Sequence, residues 1–206
     1  MNAQSKLPNS GLHHHIILLR AFKKFLLPHY LRSLQTRMTI RAASGDLLSR
    51  THQLFTKTNQ FNVTTRRYTL AELQHAAGDE DSRLILIRVE DRFGDIGWVG
   101  AVLMRDVNGT EIHIDSFILS CRAMGRGIET AVMNHLKDWC FARPGCVAMT
   151  AEYRPSAKNL PVRDLYERHG FSVSAPEEPQ AKAYRLEKSS SSRSPCDWIA
   201  GHFDPN

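Results

Sequence analysis

The stretch that most constrains this chain is Asp115 to Ala131, D-S-F-I-L-S-C-R-A-M-G-R-G-I-E-T-A. The apolar run from Asp115 to Leu119 predicts a strand, and Ser120 and Cys121 turn out of it. After Arg122-Ala-Met-Gly125-Arg-Gly127, residues Ile128, Ala131, Val132, His135, Leu136 and Trp139 recur at helical spacing. A strand that runs through a short glycine loop straight into a helix has a defined capability. Glycine lets the backbone come close to a ligand, because no side chain intervenes. The first N–H groups of a helix have no internal partner and carry partial positive charge. Such a loop is a seat for a phosphate or diphosphate.

The flanking segments set the sheet around this loop. Arg83 to Glu90 alternates and is rich in β-branched residues, which predicts a strand. Asp91 to Gly97 reads as a turn-rich loop and Trp98 to Arg105 as the next strand. Asn108-Gly109 is a hairpin signal that joins this strand antiparallel to Glu111–Leu119. The helix after the glycines should stop near Phe141, before Pro144 and Gly145. Val147 to Tyr153 is then another strand, and the strand–loop–helix–strand order makes the Asp115 and Thr150 strands parallel. Upstream, Leu47, Leu48, Thr51, Leu54 and Phe55 form a helical stripe, Thr65 to Tyr68 a connector, and Thr69-Leu-Ala-Glu72 the capping box of a second helix ending near Gly78. Downstream, a helix from Asn159 precedes closing strands at Phe171–Ser174 and Ala183–Glu187.

Length, 206 residues, suits one domain with tails. The net charge of +6 is uneven: residues 1–50 hold eight Lys or Arg against Asp46 alone. A basic, apolar N-terminal arm at 1–42, a domain at 43–188 and a flexible, Ser-rich tail at 189–206 are therefore expected. The basic charge resides in the arm, so nucleic-acid binding by the main domain is not expected. Within the arm, Ile16 to Leu31 fits an interfacial helix in contact with a membrane or a helix packed on the domain, and Met38 is an alternative start. His13-His14-His15 reads as solvated, and no metal site is expected. The four cysteines show no C-x-x-C pair, which points to a reducing, cytoplasmic compartment. Cys121 reads as a small residue filling a strand end, with a nucleophile as the alternative.

The R-x-x-G-x-G form of Arg122 to Gly127 resembles the acyl-CoA pyrophosphate loop of the GNAT (GCN5-related N-acetyltransferase) superfamily. Asn159-Leu-Pro-Val-Arg-Asp-Leu-Tyr166-Glu-Arg-His-Gly170-Phe171 resembles that superfamily's late helix and turn. More narrowly, residues 50 to 187 resemble the C-terminal GNAT-like domain of FkbH-like proteins, through T-K-T-N-Q-F-N-V-T-T-R-R-Y, D-R-F-G-D and S-C-R-A-M-G-R-G-I-E. Those proteins usually carry a HAD-type domain first. Its D-x-D-x-[TV] motif is not found; Asp79-Glu-Asp81-Ser-Arg83 is the nearest approach.

The resemblance implies a mixed α/β (α+β) GNAT-like acyl-CoA N-acyltransferase fold: a central, mostly antiparallel sheet with a parallel, splayed strand pair and flanking helices. It implies acetyl-CoA or another acyl-CoA as donor, with carrier-bound phosphopantetheine as the alternative, and a small-molecule or peptide amine as acceptor. The backbone of Met124 to Ile128 would hold the pyrophosphate, with Ala123, Arg122 and Arg126 beside it; hydrogen bonds to a charged group contribute roughly 1.5–3 kcal/mol each. Phe117 and Leu119 would offer backbone groups to the pantetheine arm, and Asn159 a side-chain amide. Tyr166 occupies the place of the superfamily's general acid. Asp115, Glu152 and Glu111 are candidate bases, since an alkyl ammonium must lose a proton before it attacks. Glu129 departs from the usual loop and would set a negative charge near the diphosphate, which favours weaker CoA binding or a carrier-borne donor. In the FkbH-like alternative the domain binds an acyl carrier protein without acetyltransferase activity.

Overall fold

The computed structural model describes residues 26–174 and 181–204. Eight strands form one sheet, flanked by helices on both faces. In chain order the elements are α1 (Leu27–Ser33), β1 (Thr36–Ala42), α2 (Leu47–Lys57), α3 (Leu70–Gly78), β2 (Ser82–Asp91), β3 (Gly94–Asp106), β4 (Glu111–Leu119), α4 (Ile128–Phe141), β5 (Ala148–Tyr153), α5 (Leu165–Arg168), β6 (Ser172–Val173), β7 (Lys182–Glu187) and β8 (Ile199–Asp204). The sheet order is β6-β7-β5-β4-β3-β2-β1-β8. The pairs β4–β5 and β1–β8 are parallel and the others antiparallel. This is the expected mixed sheet with a parallel pair.

The side-chain pattern explains the two layers. In β2, Ile85, Ile87 and Val89 face one core with Val132, Met133 and Leu136 of α4, while Leu84 and Leu86 face another with Leu54 and Phe55 of α2 and Leu73 of α3. A strand buried on both faces reads as a continuous apolar run, as R-L-I-L-I-R-V does. The capping box at Thr69 is formed in both directions and fixes the start of α3. The Asp91–Gly97 segment, expected as a loop, is instead a tight turn at Arg92–Phe93 between β2 and β3, with bulges where the register shifts. The helix expected from Asn159 is shorter than foreseen: a 3₁₀ turn at Leu160–Val162 and the single turn of α5.

Both expected domain boundaries fall inside the fold. Residues 36–42, assigned above to the arm, form β1, whose Met38 and Ile40 are buried; residues 199–204, assigned to a flexible tail, pair with it as β8. The tail between them is pinned to α4. Asn134 donates to Ser194 O and accepts from its N–H at 2.9 Å each, and the buried Lys137 ammonium donates to the carbonyls of His169 (2.7 Å) and Ser192 (2.9 Å). Ser-rich composition signals weak packing, but backbone carbonyls can be held whatever the side chain. His13–His15 and residues 16–25 lie outside the described residues. No helix among the described residues is long and apolar enough to cross a membrane, and no group of three or more metal-ligating side chains occurs among them.

Candidate active site

The site begins where β4 leaves β5. Their parallel pairing runs from Glu111↔Ala148 to Ile114↔Ala151 and stops. At the same point the β3–β4 register skips Asp115, a bulge that bends β4 away. The Asp115 carboxylate holds the bulge: it accepts from Tyr68 Oη (3.0 Å), Arg105 Nε (3.1 Å) and Arg66 Nη1 (3.4 Å). Further along β3, Gly100 lies opposite Leu119, where a Cβ would come within 2.8 Å of Ile118 O and 2.9 Å of Leu119 Cδ1. The splay expected of this strand pair is therefore built from a bulge, an ion cluster and a glycine.

The loop after β4 is as the sequence reading required in its backbone and different in its side chains. Gly125 (φ +77°) and Gly127 (φ +84°) are both left-handed, and α4 starts at Ile128. Around Gly125 there is open space; over Gly127 lies the Trp198 indole, with atoms 3.0–3.3 Å from where a Cβ would stand. Trp198 Nε1 donates to Arg126 O (2.9 Å) and Cys196 Sγ to Gly127 O (3.4 Å). Gly127 therefore accommodates the chain's own tail. Ala123 and Met124 spend their N–H groups on Ser120 O and Cys121 O, so neither offers a donor to a ligand; those of Gly125 to Ile128 find no acceptor among the described residues. Arg126 was expected on a phosphate, but it pairs with the buried Asp91 carboxylate at 2.5 Å, and that bond holds Asp91 below the usual carboxylate range. Arg122 is exposed and meets no side-chain partner among the described residues. One carboxylate oxygen of Glu129 is buried without a hydrogen-bond partner among the described residues. Burial, then the charge of Glu129, push the nearby Cys196 thiol up to about 11.

Beside this loop opens a cavity of about 900 Å³. Its walls are the C-terminal half of α2 and residues 58–60, the end of β4 with Ser120 to Arg122, and the segment Ala157–Pro161. Arg50, Lys57, Arg122 and Lys158 line it, and no acid does. Cys121, expected to fill a strand end, is exposed on its wall. A second cavity of about 420 Å³ lies along the strands on the other side, lined by Thr64, Thr65, Arg66, His113, Asp115, Glu152 and Arg154.

The structure divides the catalytic candidates. Asp115 and Glu152 share the second cavity, but each is ion-paired: Asp115 to Arg66 and Arg105, and Glu152 to Arg154. Glu111 pairs with Arg185 at 2.8 Å and lines neither cavity. Tyr166 is buried against Phe171 and Tyr184, it too lines neither cavity, and its hydroxyl has no hydrogen-bond partner among the described residues. Burial first, then Tyr184 and Glu152, raise its pKa well above the usual phenol value, so it is protonated at neutral pH.

One segment was missed. The sequence reading assigns no element to Phe61 to Val63, yet they lie in the parting between β4 and β5. Val63 N–H donates to Phe117 O (3.2 Å), Leu119 N–H to Phe61 O (3.0 Å) and Arg154 N–H to Val63 O (2.9 Å). Asn159 was expected on pantetheine; its Nδ2 instead donates to Asn62 O at 2.8 Å. The signal was present as F-N-V, apolar residues two apart, a one-step strand pattern with both apolar side chains buried.

A mixed sheet with one parallel pair parted at a bulge, leading through a glycine loop into a helix, defines the class of acyl-CoA N-acyltransferase folds. The family model described as acetyltransferase (GNAT) family matches residues 48–171, more than half of the sequence, and the chain belongs to that family. It is accordingly an acyl-CoA-dependent N-acyltransferase. Among solved structures it is similar to spermidine N-acetyltransferase from Vibrio cholerae in complex with CoA and spermine (19% identity, TM-score 0.56, 74% of this chain and 96% of that one). It is similar also to the ribosomal-protein-S18-alanine N-acetyltransferase from Escherichia coli (16%, TM-score 0.55, 76% and 96%) and to the aminoglycoside acetyltransferase AAC(6')-Ib in complex with coenzyme A (16%, TM-score 0.55, 74% and 96%). At such identities the likeness is one of fold. No protein of curated function matches the sequence.

Proposed function

We propose that this chain moves an acyl group, acetyl being the simplest, from acyl-CoA to an amine by direct attack. The observation that carries this reading is the cavity of about 900 Å³ lined by four cations and no acid among the described residues, at the end of β4 where Ser120 to Arg122 lead into the glycine loop. Phosphate groups are favoured there by Arg122, Lys57 and Lys158; the N–H groups from Gly125 onward and the positive end of α4 lie further along the same loop. The thioester would point along the parting towards the second cavity. An amine seated there loses a proton to Asp115 or Glu152 once one of their arginines turns aside. Its nitrogen then forms a bond to the acyl carbon, the C–S bond breaks, and the proton that the nitrogen sheds as it becomes an amide neutralises the departing thiolate, with Tyr166 as the relay if donor seating uncovers its buried hydroxyl. CoA release measured against a panel of polyamines, aminoglycosides and N-terminal peptides tests the reading. Release with at least one amine is expected; none with any, despite acetyl-CoA binding, would overturn the transferase assignment of this site.

A second reading has its own observation. Arg126 is committed to Asp91 and Gly127 to Trp198, so two groups expected on a diphosphate are engaged elsewhere. The remaining cations suit a single phosphate, as in the phosphopantetheine of an acyl carrier protein. That fits the closer resemblance to FkbH-like domains. Tighter binding of holo than apo carrier, with CoA weaker than both, is the result that would favour it.

A further inference from the structure

We propose that residues 59–64 are an internal strap standing in for the donor's 4'-phosphopantetheine arm, so that seating of the strap and binding of the donor exclude each other. The inference rests on the donor reading above. An arm entering the parting as an extra strand needs three groups: the carbonyl of Phe117, the N–H of Leu119 and the amide of Asn159. All three are taken by the chain itself, through Val63 N–H, Phe61 O and Asn62 O at 3.2, 3.0 and 2.8 Å. The Phe61 ring lies 5.0 Å from that of Phe117. On the far side Arg154 N–H closes the bridge to β5 through Val63 O.

The strap is also the wall between the two cavities. Thr58, Asn59 and Gln60 line the cationic one, Thr64 and Thr65 the one with Asp115 and Glu152. While it is seated, donor and acceptor compartments do not meet along the strands. When it withdraws, the edge of β4 from Asp115 to Leu119 becomes free, and the compartments join where the thioester must lie.

Phe61 and Val63 pack in the core, so the arm must take their place, but the backbone of the strap is lightly held. It joins β4 by an isolated bridge, Asn62↔Ile118, not by a ladder. Upstream, Arg67 grips the carbonyls of Phe55, Thr56 and Thr58 and the Asn59 side chain, a hinge that stays with α2. Downstream, Thr65 sits at φ +57°, a left-handed conformation that a β-branched residue rarely adopts. Asn62 Oδ1 holds it there by accepting from Thr65 N–H at 2.9 Å. Strain of this kind persists only where its surroundings enforce it. Here it lowers the cost of unseating.

The test is amide hydrogen exchange on the full chain with saturating CoA and, separately, 4'-phosphopantetheine, together with their affinities for Asn62→Ala and Thr65→Gly. The arm should expose the Val63 and Arg154 amides, speeding their exchange at least tenfold, while Leu119 stays protected because the arm replaces the strap. Asn62→Ala, which loosens the seat, should bind either ligand roughly tenfold tighter; Thr65→Gly, which relieves the strain of the seated form, should bind roughly tenfold weaker. Displacement by 4'-phosphopantetheine but not CoA supports the strap and assigns a carrier-borne donor. Binding with Val63 and Arg154 exchange unchanged overturns the strap and leaves the donor reading standing. If neither ligand binds the wild type or either folded variant, the donor reading fails, and the strap as its competitor with it.

Discussion

Gly125 and Tyr166 are the residues at which the chemistry is most exposed to test. Gly125 is left-handed with open space around it, so its backbone is available to a phosphate while its conformation excludes most side chains. Asparagine tolerates that conformation, so Gly125→Asn should stay within about 1 kcal/mol of wild-type stability yet set a side chain where the phosphate must approach. CoA affinity should fall at least tenfold by titration calorimetry, the loss of one charge-assisted hydrogen bond. Wild-type affinity in a variant with an unchanged melting temperature would remove this loop from donor binding. At Tyr166 the buried, partnerless hydroxyl makes a sharper contrast. A hydroxyl with no bond to lose contributes nothing to the fold, so Tyr166→Phe should match the wild type or exceed it by up to about 1 kcal/mol in urea unfolding. Turnover should nevertheless drop on the order of 10²-fold if that hydroxyl protonates the thiolate. A stable variant with full turnover would assign the proton to another group. The turn at Gly125 was legible in the strand–glycine–helix order of the sequence, whereas Tyr166 was singled out only by the resemblance to the superfamily. What was not legible was the diversion of their neighbours. Arg126 reaches Asp91 and Gly127 receives Trp198, partners far away in sequence that local spacing cannot announce.

Among the elements, β4 carries the site, and its shape is enforced from β3. A methyl group at Gly100 would press on the carbonyl of Ile118 and the side chain of Leu119, next to the groups that hold the strap. Gly100→Ala should therefore cost about 1–3 kcal/mol, as overpacking does, and alter exchange at the Leu119 amide; a neutral effect on both would mean β4 yields more easily than its bulge suggests. This element shows how far pattern carries. The strand, the Asn108-Gly109 hairpin, the capping box at Thr69 and the parallel return to β5 are local or topological consequences of residues close in sequence, and they stand where expected. The strap does not belong to that class. T-K-T-N-Q-F-N-V offers a three-residue alternation, too short to separate a strand from a loop, and its partners Phe117, Leu119 and Asn159 become neighbours only after the sheet has closed. β8 was lost for the same reason, since its partner β1 lies more than 150 residues earlier; β1 itself pairs also with β2 and was obscured by the basic residues that alternate with its apolar ones and merge it with the arm.

For the whole molecule, the pairing of β8 with β1 means that the residues leading into β8 bear on global stability, and His169 gives that a pH dependence. His169 is buried where α5 gives way to β6; its Nδ1 contacts Ser194 Oγ at 3.2 Å, Nε2 has no partner among the described residues, and its carbonyl receives the Lys137 ammonium that also holds Ser192. Burial first, then the charges of Lys137 and Arg168, push its pKa down from 6.5 to about 4. Between those values the unfolded chain takes up a proton that the folded chain refuses, so acid favours unfolding. The stability at stake is fully present above about pH 6.5 and is lost as pH falls towards 4, amounting to about 2 kcal/mol between pH 7.5 and pH 5. His169→Gln keeps a polar side chain of similar reach and removes the titration. Its loss of urea stability over the same interval should be smaller than the wild type's by that amount, after both have lost whatever their carboxylates contribute. Parallel pH profiles for the two proteins would mean that His169 protonates in the folded state without disturbing Lys137 or the tail, and that the closure between α4 and the C-terminal residues is indifferent to acid.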